Sequence, residues 1–517
     1  MRNEVHQTSP RTDLTFARIA NRAVRNFGNR TAVLDGAYSA TYRGHFARVA
    51  ALITKLGDEG IGRFGVLSYN SHEFLELWHA ALCSDTSIVP LNFRLATNDL
   101  TKIIIDSGMD CLFVDEAWYD LAEQACRDTG VPVRPIREFA GPELTDLAAT
   151  PDGTVIRFVE PDEDGIAALM YTGGTTGTPK AATLSNRAMT MNLHHMDRLL
   201  DTGPDMRFLL HSPMFHGGPV FGVMNPLGAG GSVVTIPKFD VEDFGEALLT
   251  TGANATQMGP TMLRMLLNHY TDDLTPLHKL RTLIYGTAPI TRGLVTEVLE
   301  KLPDLQLNGG YGMTEASSAV TILTHEEHLA DDLKRVDSVG RPFPGVDMRI
   351  VSPQGEELGP GDVGEVLIRA GNLMDGYWNQ PELTDAVFTN GWYHSGDAGY
   401  LDDEGYLFIV DRLKDMIISG GENVYSAEVE NVLSRHPAVN QVAVIGVPDE
   451  TWGERVHGVV VCEPGTHTTP DELTAFCRAH LAGYKIPRSW QFRTAPLPLS
   501  GVMKINKRAL TEEYSYD

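Results

Sequence analysis

The stretch Tyr171-Thr-Gly-Gly-Thr-Thr-Gly-Thr-Pro-Lys180 constrains this chain more than any other. It packs three glycines (Gly173, Gly174, Gly177), four threonines (Thr172, Thr175, Thr176, Thr178) and a terminal lysine into ten residues. The apolar run Ile166–Met170 leads into it and reads as a short buried strand. Glycines let backbone N–H groups close around an anion, hydroxyls add donors, and Lys180 supplies a point charge. That chemistry suits a polyphosphate. It departs from the usual P-loop, because Pro179 precedes the lysine and Ala181 follows it, where Gly-Lys-Ser/Thr is needed. A flexible surface turn is the plain alternative.

The surroundings of this loop alternate. Phe16–Val24, Tyr42–Leu56 and Glu73–Cys83 are helical in pattern, while Phe64–Ser68, Ser87–Leu91 and Cys111–Val114 read as strands. Interleaved strands and helices predict a parallel, layered α/β fold. Its 517 residues exceed one typical core, so at least two domains are expected. The formal charge of −26 disfavours a general nucleic-acid binder. No apolar run reaches the length of a membrane span, and Met1–His6 lacks the apolar core of a signal peptide. The five cysteines form no CxxC pair, so a reduced, cytoplasmic protein is expected.

Further along, His216 stands in Pro213-Met-Phe-His-Gly-Gly-Pro219, between an aromatic and two glycines. The run Leu283–Tyr285 ends in Gly286-Thr-Ala-Pro289, and Leu305–Leu307 leads through Asn308-Gly-Gly-Tyr-Gly-Met-Thr-Glu315. Strand ends are where open α/β sheets bind ligands; an aromatic there suits a base, and a glutamate beside phosphate suits Mg²⁺. The last quarter changes character, with short strands, a hairpin over 402–410, helices at Ser426–Arg435 and Asp471–Leu481, and a strand at Val439–Val447. Residues 485–508 carry six Lys/Arg and no acid, which reads either as a local anion site or as a solvated basic face.

Six blocks in this order resemble the acyl-adenylate-forming superfamily of acyl- and aryl-CoA synthetases, luciferases and peptide-synthetase adenylation domains. They are Tyr171–Lys180, Met214–Gly217, Tyr311–Glu315, Tyr393–Asp397, Asp411–Asp415 with Ser419–Val424, and Lys504. The resemblance implies a large N-terminal domain, 1–411, of layered sheets and helices, and a small mobile α+β C-terminal domain, 412–517, turning near Lys414. It implies that Thr172 to Lys180 close over the β- and γ-phosphates of ATP, with Gly286, Thr287, Ala288, Pro289, Asn308, Gly309, Gly310 and Gly312 lining the nucleotide site. Tyr311 would stack on adenine, Thr314 would contact the α-phosphate, and Glu315 would help hold Mg²⁺. Asp397 would bind the ribose with Arg412 nearby, and His216 would sit beside the acyl group. Lys504 would reach the α-phosphate oxygens, while Gly420 and Gly421 would line the path of the thiol.

The implied reaction is ATP-dependent activation of a fatty or aryl carboxylic acid as acyl-AMP, then transfer to CoA. The alternatives are a carrier-protein thiol or another nucleophile as acceptor, and a non-catalytic homologue; a homodimer is an open option. No acid follows His216 where peptide-synthetase domains place one for an α-amine, so an acid without an α-amine is favoured. Three positions depart from the family pattern: Gly173 for serine, Ala181 for glycine, and Met503 for glycine before Lys504. A kinase-like phosphotransferase and a non-enzymatic nucleotide binder share the loop chemistry, and the first would release ADP.

Overall fold

A computed structural model describes residues 14–141, 144, 156–172, 179–197, 202–218, 220–498 and 505–514. Of the site residues expected from the sequence, Gly173 to Thr178 and Lys504 lie outside the described residues, as does Met503. The chain divides into two compact units, one of residues 1–346 with 370–386 and one of 347–369 with 387–517. Lys414 falls inside the second.

The first unit is built on two sheets. One has nine strands among the described residues, and its middle is parallel. There Gln306–Tyr311, Thr282–Tyr285, Ala255–Met258, Arg207–Leu210, Ser232–Thr235 and Thr31–Asp35 lie side by side. All four residues of Thr282–Tyr285 are buried, as expected of a strand covered on both faces. The other sheet has seven strands among the described residues, parallel from Ile166–Thr172 through Ser87–Pro90, Arg63–Leu67 and Cys111–Val114 to Val133–Pro135. The α/β expectation holds, but the edges are antiparallel. Ile166–Thr172 and Lys180–Ser185 pair antiparallel, so the glycine-rich segment joins two strands of a hairpin. A connection this short cannot make a parallel crossover, which needs about a dozen residues or more.

The helices form where the spacing predicts them. Thr41 caps Tyr42–Asp58 by accepting from the Gly44 N–H, and Phe46, Val49, Leu52 and Leu56 are buried along that helix. Ser71 caps His72–Leu82 in the same way through Phe74. Between these helices lies a polar contact that the apolar pattern does not announce. Arg48 grips the fully buried Glu76 with two hydrogen bonds of 2.7 and 3.0 Å. Such a pair is strongly destabilising to break from one side, because the remaining charge stays buried.

The second unit carries two further sheets. In one, Trp392–Leu401 pairs antiparallel with Gly364–Ala370 and with Leu407–Arg412, so the hairpin expected over 402–410 has its first arm upstream and only its turn and second arm in that range. In the other, Val439–Asp449 and Gly453–Cys462 form a long antiparallel pair, and Ser489–Arg493 adds in parallel. Helices Ser426–Leu433 and Pro470–Arg478 pack Val429, Leu433 and Leu473 onto Val444 and Val456. Among the described residues no helix is long and apolar enough to cross a membrane.

Several histidines are buried in the neutral state. His79 donates from Nε2 to the Val223 carbonyl, so its Nδ1 accepts from His45. Burial lowers the pKa of His79, His195, His211, His328 and His457 from 6.5 to about 4. Between those two values the unfolded chain binds more protons than the folded one. Stability is therefore fully present above about pH 6.5 and falls as the pH drops toward 4, by about 1 kcal/mol per histidine per pH unit. We expect the urea midpoint to be lower at pH 5 than at pH 7; an equal midpoint at both would contradict the burial of these rings.

Candidate functional site

Four adjacent parallel strands of the nine-stranded sheet end on one side of the first unit. Arg207–Leu210 leads to the His216 loop, Ala255–Met258 to Gly259, Thr282–Tyr285 to Gly286, and Gln306–Tyr311 to Thr314 and Glu315. The close approaches among these segments define the site. A Cβ on Gly217 would lie 3.2 Å from both Cα and Oγ1 of Thr314, so the histidine loop rests against the threonine. A Cβ on Gly286 would stand 2.9 Å from the Gly310 carbonyl oxygen. The sequence blocks around 216, 286 and 311 are thus brought together.

The backbone here is strained. Thr287, Ser317 and Ser318 have φ of 68°, 55° and 136°, where residues other than glycine cost of order 1–3 kcal/mol each. Asn372, fully buried, holds the turn after Glu315 by donating to the carbonyls of Ala316 and Ala319 at 2.8 and 3.0 Å. Ser317 in turn donates to the Asn372 carbonyl at 2.9 Å. From the other side, Asn70 accepts from the Met214 N–H at 3.0 Å, and Trp78 donates to the Met214 carbonyl at 3.2 Å. Neither Asn70 nor Trp78 was legible as a support of the site, since both sit in stretches that read as scaffold.

Lys180 and Glu315 meet at the base of the glycine-rich segment. The Lys180 ammonium lies 3.7 Å from Glu315 Oε1, and their side chains are 27% and 12% exposed. A third partner joins them. Tyr377 donates its hydroxyl to Glu315 Oε1 at 2.9 Å, and the Lys180 ammonium sits 3.9 Å from the centroid of its ring. The short strand Gly376–Tyr377 brings the tyrosine here by pairing antiparallel with Lys180–Ser185. Met374 adds an N–H bond to the Glu315 carbonyl at 2.7 Å. Ala181, where glycine was the pattern, is a fully buried strand residue outside the left-handed region, so this backbone does not require glycine there.

The remaining expected residues of the first unit have these surroundings. Asn308 is buried, and its Oδ1 accepts from the His325 N–H at 3.2 Å, which ties it to a helix start. Gly309 is needed because the Tyr285 hydroxyl lies 2.5 Å from where its Cβ would be. That hydroxyl donates to His328 Nε2 at 2.8 Å, while His328 Nδ1 donates to the Thr324 carbonyl. His216 is partly buried, its ring 4.4 Å from that of Phe215. Tyr311, Thr314, Thr287, Ala288 and Pro289 are partly or fully accessible at the strand ends.

In the second unit, Asp397 and Arg412 are cross-strand neighbours. Arg412 Nε lies 2.7 Å from Asp397 Oδ1, with the carboxylate 3% exposed and the guanidinium side chain 46% exposed. The adjacent Asp411 accepts from the Ser426 hydroxyl at 2.7 Å and the Ala427 N–H at 3.1 Å, anchoring the helix Ser426–Leu433. Lys414 is exposed in the turn Leu413–Asp415. Gly420 and Gly421 form the two-residue turn of a hairpin, with φ of 64° and 84°. The basic stretch 485–508 is largely neutralised by acids from elsewhere in the unit. Lys485 pairs with Glu428, Lys507 with Glu430, Arg493 with Glu513 and Arg508 with Glu512. Most of its charge therefore serves structure, and the anion-site reading of the stretch as a whole is not supported.

Comparison with known proteins agrees with this arrangement. Residues 20–378 match the AMP-binding enzyme family, and residues 428–504 match the AMP-binding enzyme C-terminal domain. A feruloyl-CoA synthase of an Amycolatopsis species is 38% identical over 94% of this chain and 96% of its own length. A fatty acid–[acyl-carrier-protein] ligase, ScoC of Streptomyces coeruleorubidus, is 33% identical over 90% of this chain and 89% of its own. Among solved structures, ATP-bound MatB of Rhodopseudomonas palustris superposes with a TM-score of 0.85 at 29% identity, covering 96% of this chain and 99% of that one. The chain belongs to the AMP-binding enzyme family.

Proposed function

We propose that this protein is an ATP-dependent carboxylic acid–CoA ligase, and that it activates a fatty or aryl acid as acyl-AMP before transferring the acyl group to a thiol. The cluster of Lys180, Glu315 and Tyr377 beside Thr314 carries this reading, because it gathers a cation, a carboxylate and a hydroxyl at the base of the glycine-rich segment. Family membership and the names of the relatives support it.

In this reading the carboxylate of the acid attacks the α-phosphorus of ATP, and the bond to pyrophosphate breaks. Thr172 to Lys180 close over the β- and γ-phosphates, Thr314 donates to the α-phosphate, and Tyr311 stacks on adenine. Asp397, oriented by Arg412, receives the ribose hydroxyls. Lys504 neutralises the charge that builds as two anions meet. Mg²⁺ takes one or two carboxylates together with substrate phosphates, and Glu315 would supply one carboxylate; bound there, the ion would offset phosphate charge. Tyr377 and Lys180 hold the Glu315 carboxylate in place for that role.

The thiol then attacks the acyl carbon, and AMP leaves with the oxygen that joined them. His216 lies on the acyl side. Residues 412–517 turn about Lys414 between the two steps, which would exchange Lys504 for Gly420 and Gly421 at the site. The five free cysteines suit a reducing, cytoplasmic setting. A carrier-protein thiol is the second reading of the acceptor, favoured by the similarity to ScoC.

Incubating the protein with ATP, Mg²⁺, CoA and a panel of acids should release AMP and pyrophosphate in an acid-dependent way. Release of ADP, or no acid dependence, would contradict the reading. Lys504→Ala should slow this step by about 100- to 1,000-fold while leaving ATP binding intact; unchanged pyrophosphate release would remove Lys504 from the mechanism. Tyr377→Phe should raise KM for Mg–ATP by about 2- to 12-fold, the worth of one net hydrogen bond. An unaltered KM would show that the tyrosine only packs.

A further inference from the structure

Gln257 is a polar residue at the site to which neither the family pattern nor the mechanism above gives a task. It lies near the end of Ala255–Met258, between the strand that leads to His216 and the strand that leads to Gly286. Side chains alternate along a strand, so Gln257 and Thr256 face opposite ways. Thr256 is satisfied by the Leu209 carbonyl at 2.9 Å. Gln257 is not satisfied in this way. Its Oε1 is buried and has no hydrogen-bond partner among the described residues.

The amide sits beside the histidine loop. A Cβ on Gly218 would lie 3.2 Å from Gln257 Nε2, so the absence of a side chain at 218 leaves room for the amide next to His216 and Gly217. Ser318, just past Glu315, donates to the Gly218 carbonyl at 3.4 Å and fixes the same loop. On the far side, a Cβ on Gly259 would come within 3.2 Å of the Thr287 hydroxyl. Gln257 therefore lies among the strand ends that carry His216 and Thr287. A buried amide oxygen left without a partner at a site calls for a ligand group or an ordered water.

We propose that Gln257 reads a hydroxyl group on the acyl substrate, and so selects a ring-hydroxylated aryl acid over an unsubstituted aryl acid or a saturated fatty acid. This rests on the ligase reading and deepens it. A neutral amide oxygen complements a hydroxyl donor, whereas a hydrocarbon chain would leave it buried and unpaired. Sites built to hydrogen-bond a substrate hydroxyl discriminate strongly against the analogue that lacks it, because their own polar group is then stranded. The 38%-identical feruloyl-CoA synthase agrees in kind, since its named acyl group carries a phenolic hydroxyl.

The test compares kcat/KM for acid-dependent pyrophosphate release with ferulic acid, with its analogue lacking the ring hydroxyl, and with decanoic acid. The full-length chain, Gln257→Met and Gly218→Ala are each assayed. The unmodified protein should prefer the hydroxylated acid by about 5- to 150-fold over its deoxy analogue. Gln257→Met should bring that ratio close to one by losing activity on the hydroxylated acid alone. Gly218→Ala, which pushes the amide aside, should shift the ratio the same way and serves if the first variant does not fold. A ratio unchanged in folded variants, with all acids falling together, would show an amide satisfied by water and overturn the proposal. So would preference for decanoic acid by the unmodified protein. Absence of pyrophosphate with every acid is a different result: it overturns the ligase reading, and this inference with it.

Discussion

The ion pair between Lys180 and Glu315 ties together three parts of the chain that are far apart in sequence. Lys180 opens the second strand of the glycine-rich hairpin, Glu315 follows the strand Gln306–Tyr311 of the other sheet, and Tyr377 arrives on a two-residue strand. Exposed pairs of this kind contribute little, about 0–1 kcal/mol. Here the carboxylate is only 12% exposed and receives a hydroxyl as well as a cation, so removing either donor leaves it less compensated. The pair therefore matters more for placing the carboxylate than for holding the fold. Fold stability comes from the apolar layers on the parallel sheets, and the site sits where those layers end.

Strain and close approach are concentrated at the same place. Thr287, Ser317 and Ser318 keep left-handed backbone without being glycine, and a Cβ on Gly312 would fall 1.9 Å from the Ser318 carbonyl oxygen. The buried amide of Asn372 over-determines this turn. Rigid strand ends with strained connections are a sound base for positioning donors, because the geometry does not have to be found anew in each turnover.

What could be read from the sequence follows from what is local. The strand before the glycine-rich stretch, the strand before Asn308–Glu315 and the helices at 42–58 and 72–82 are each contained in one segment, and their patterns were sufficient. Tyr377 was not legible as a partner of Glu315, because 62 residues separate them and the strand that delivers it is two residues long. The Arg48–Glu76 contact was hidden for a related reason: both residues look like polar positions on amphipathic helices until the helices are packed. Asn308 looked like a ligand residue from its neighbours, yet its side chain bonds the start of a helix. The basic run at 485–508 looked uncompensated because its acids lie elsewhere in the chain, at 428, 430, 512 and 513.

In the proposed reaction the acid attacks the α-phosphorus of ATP, and a thiol then displaces AMP from the acyl carbon. Bond by bond, one oxygen of the carboxylate then ends in AMP. An acid labelled with ¹⁸O in its carboxylate, turned over with ATP and CoA, decides this through mass spectrometry of the nucleotide and phosphate products. Attack on the α-phosphorus puts one ¹⁸O atom in AMP and none in pyrophosphate. Label in inorganic phosphate alongside ADP, or no label in any phosphorus product, would contradict it.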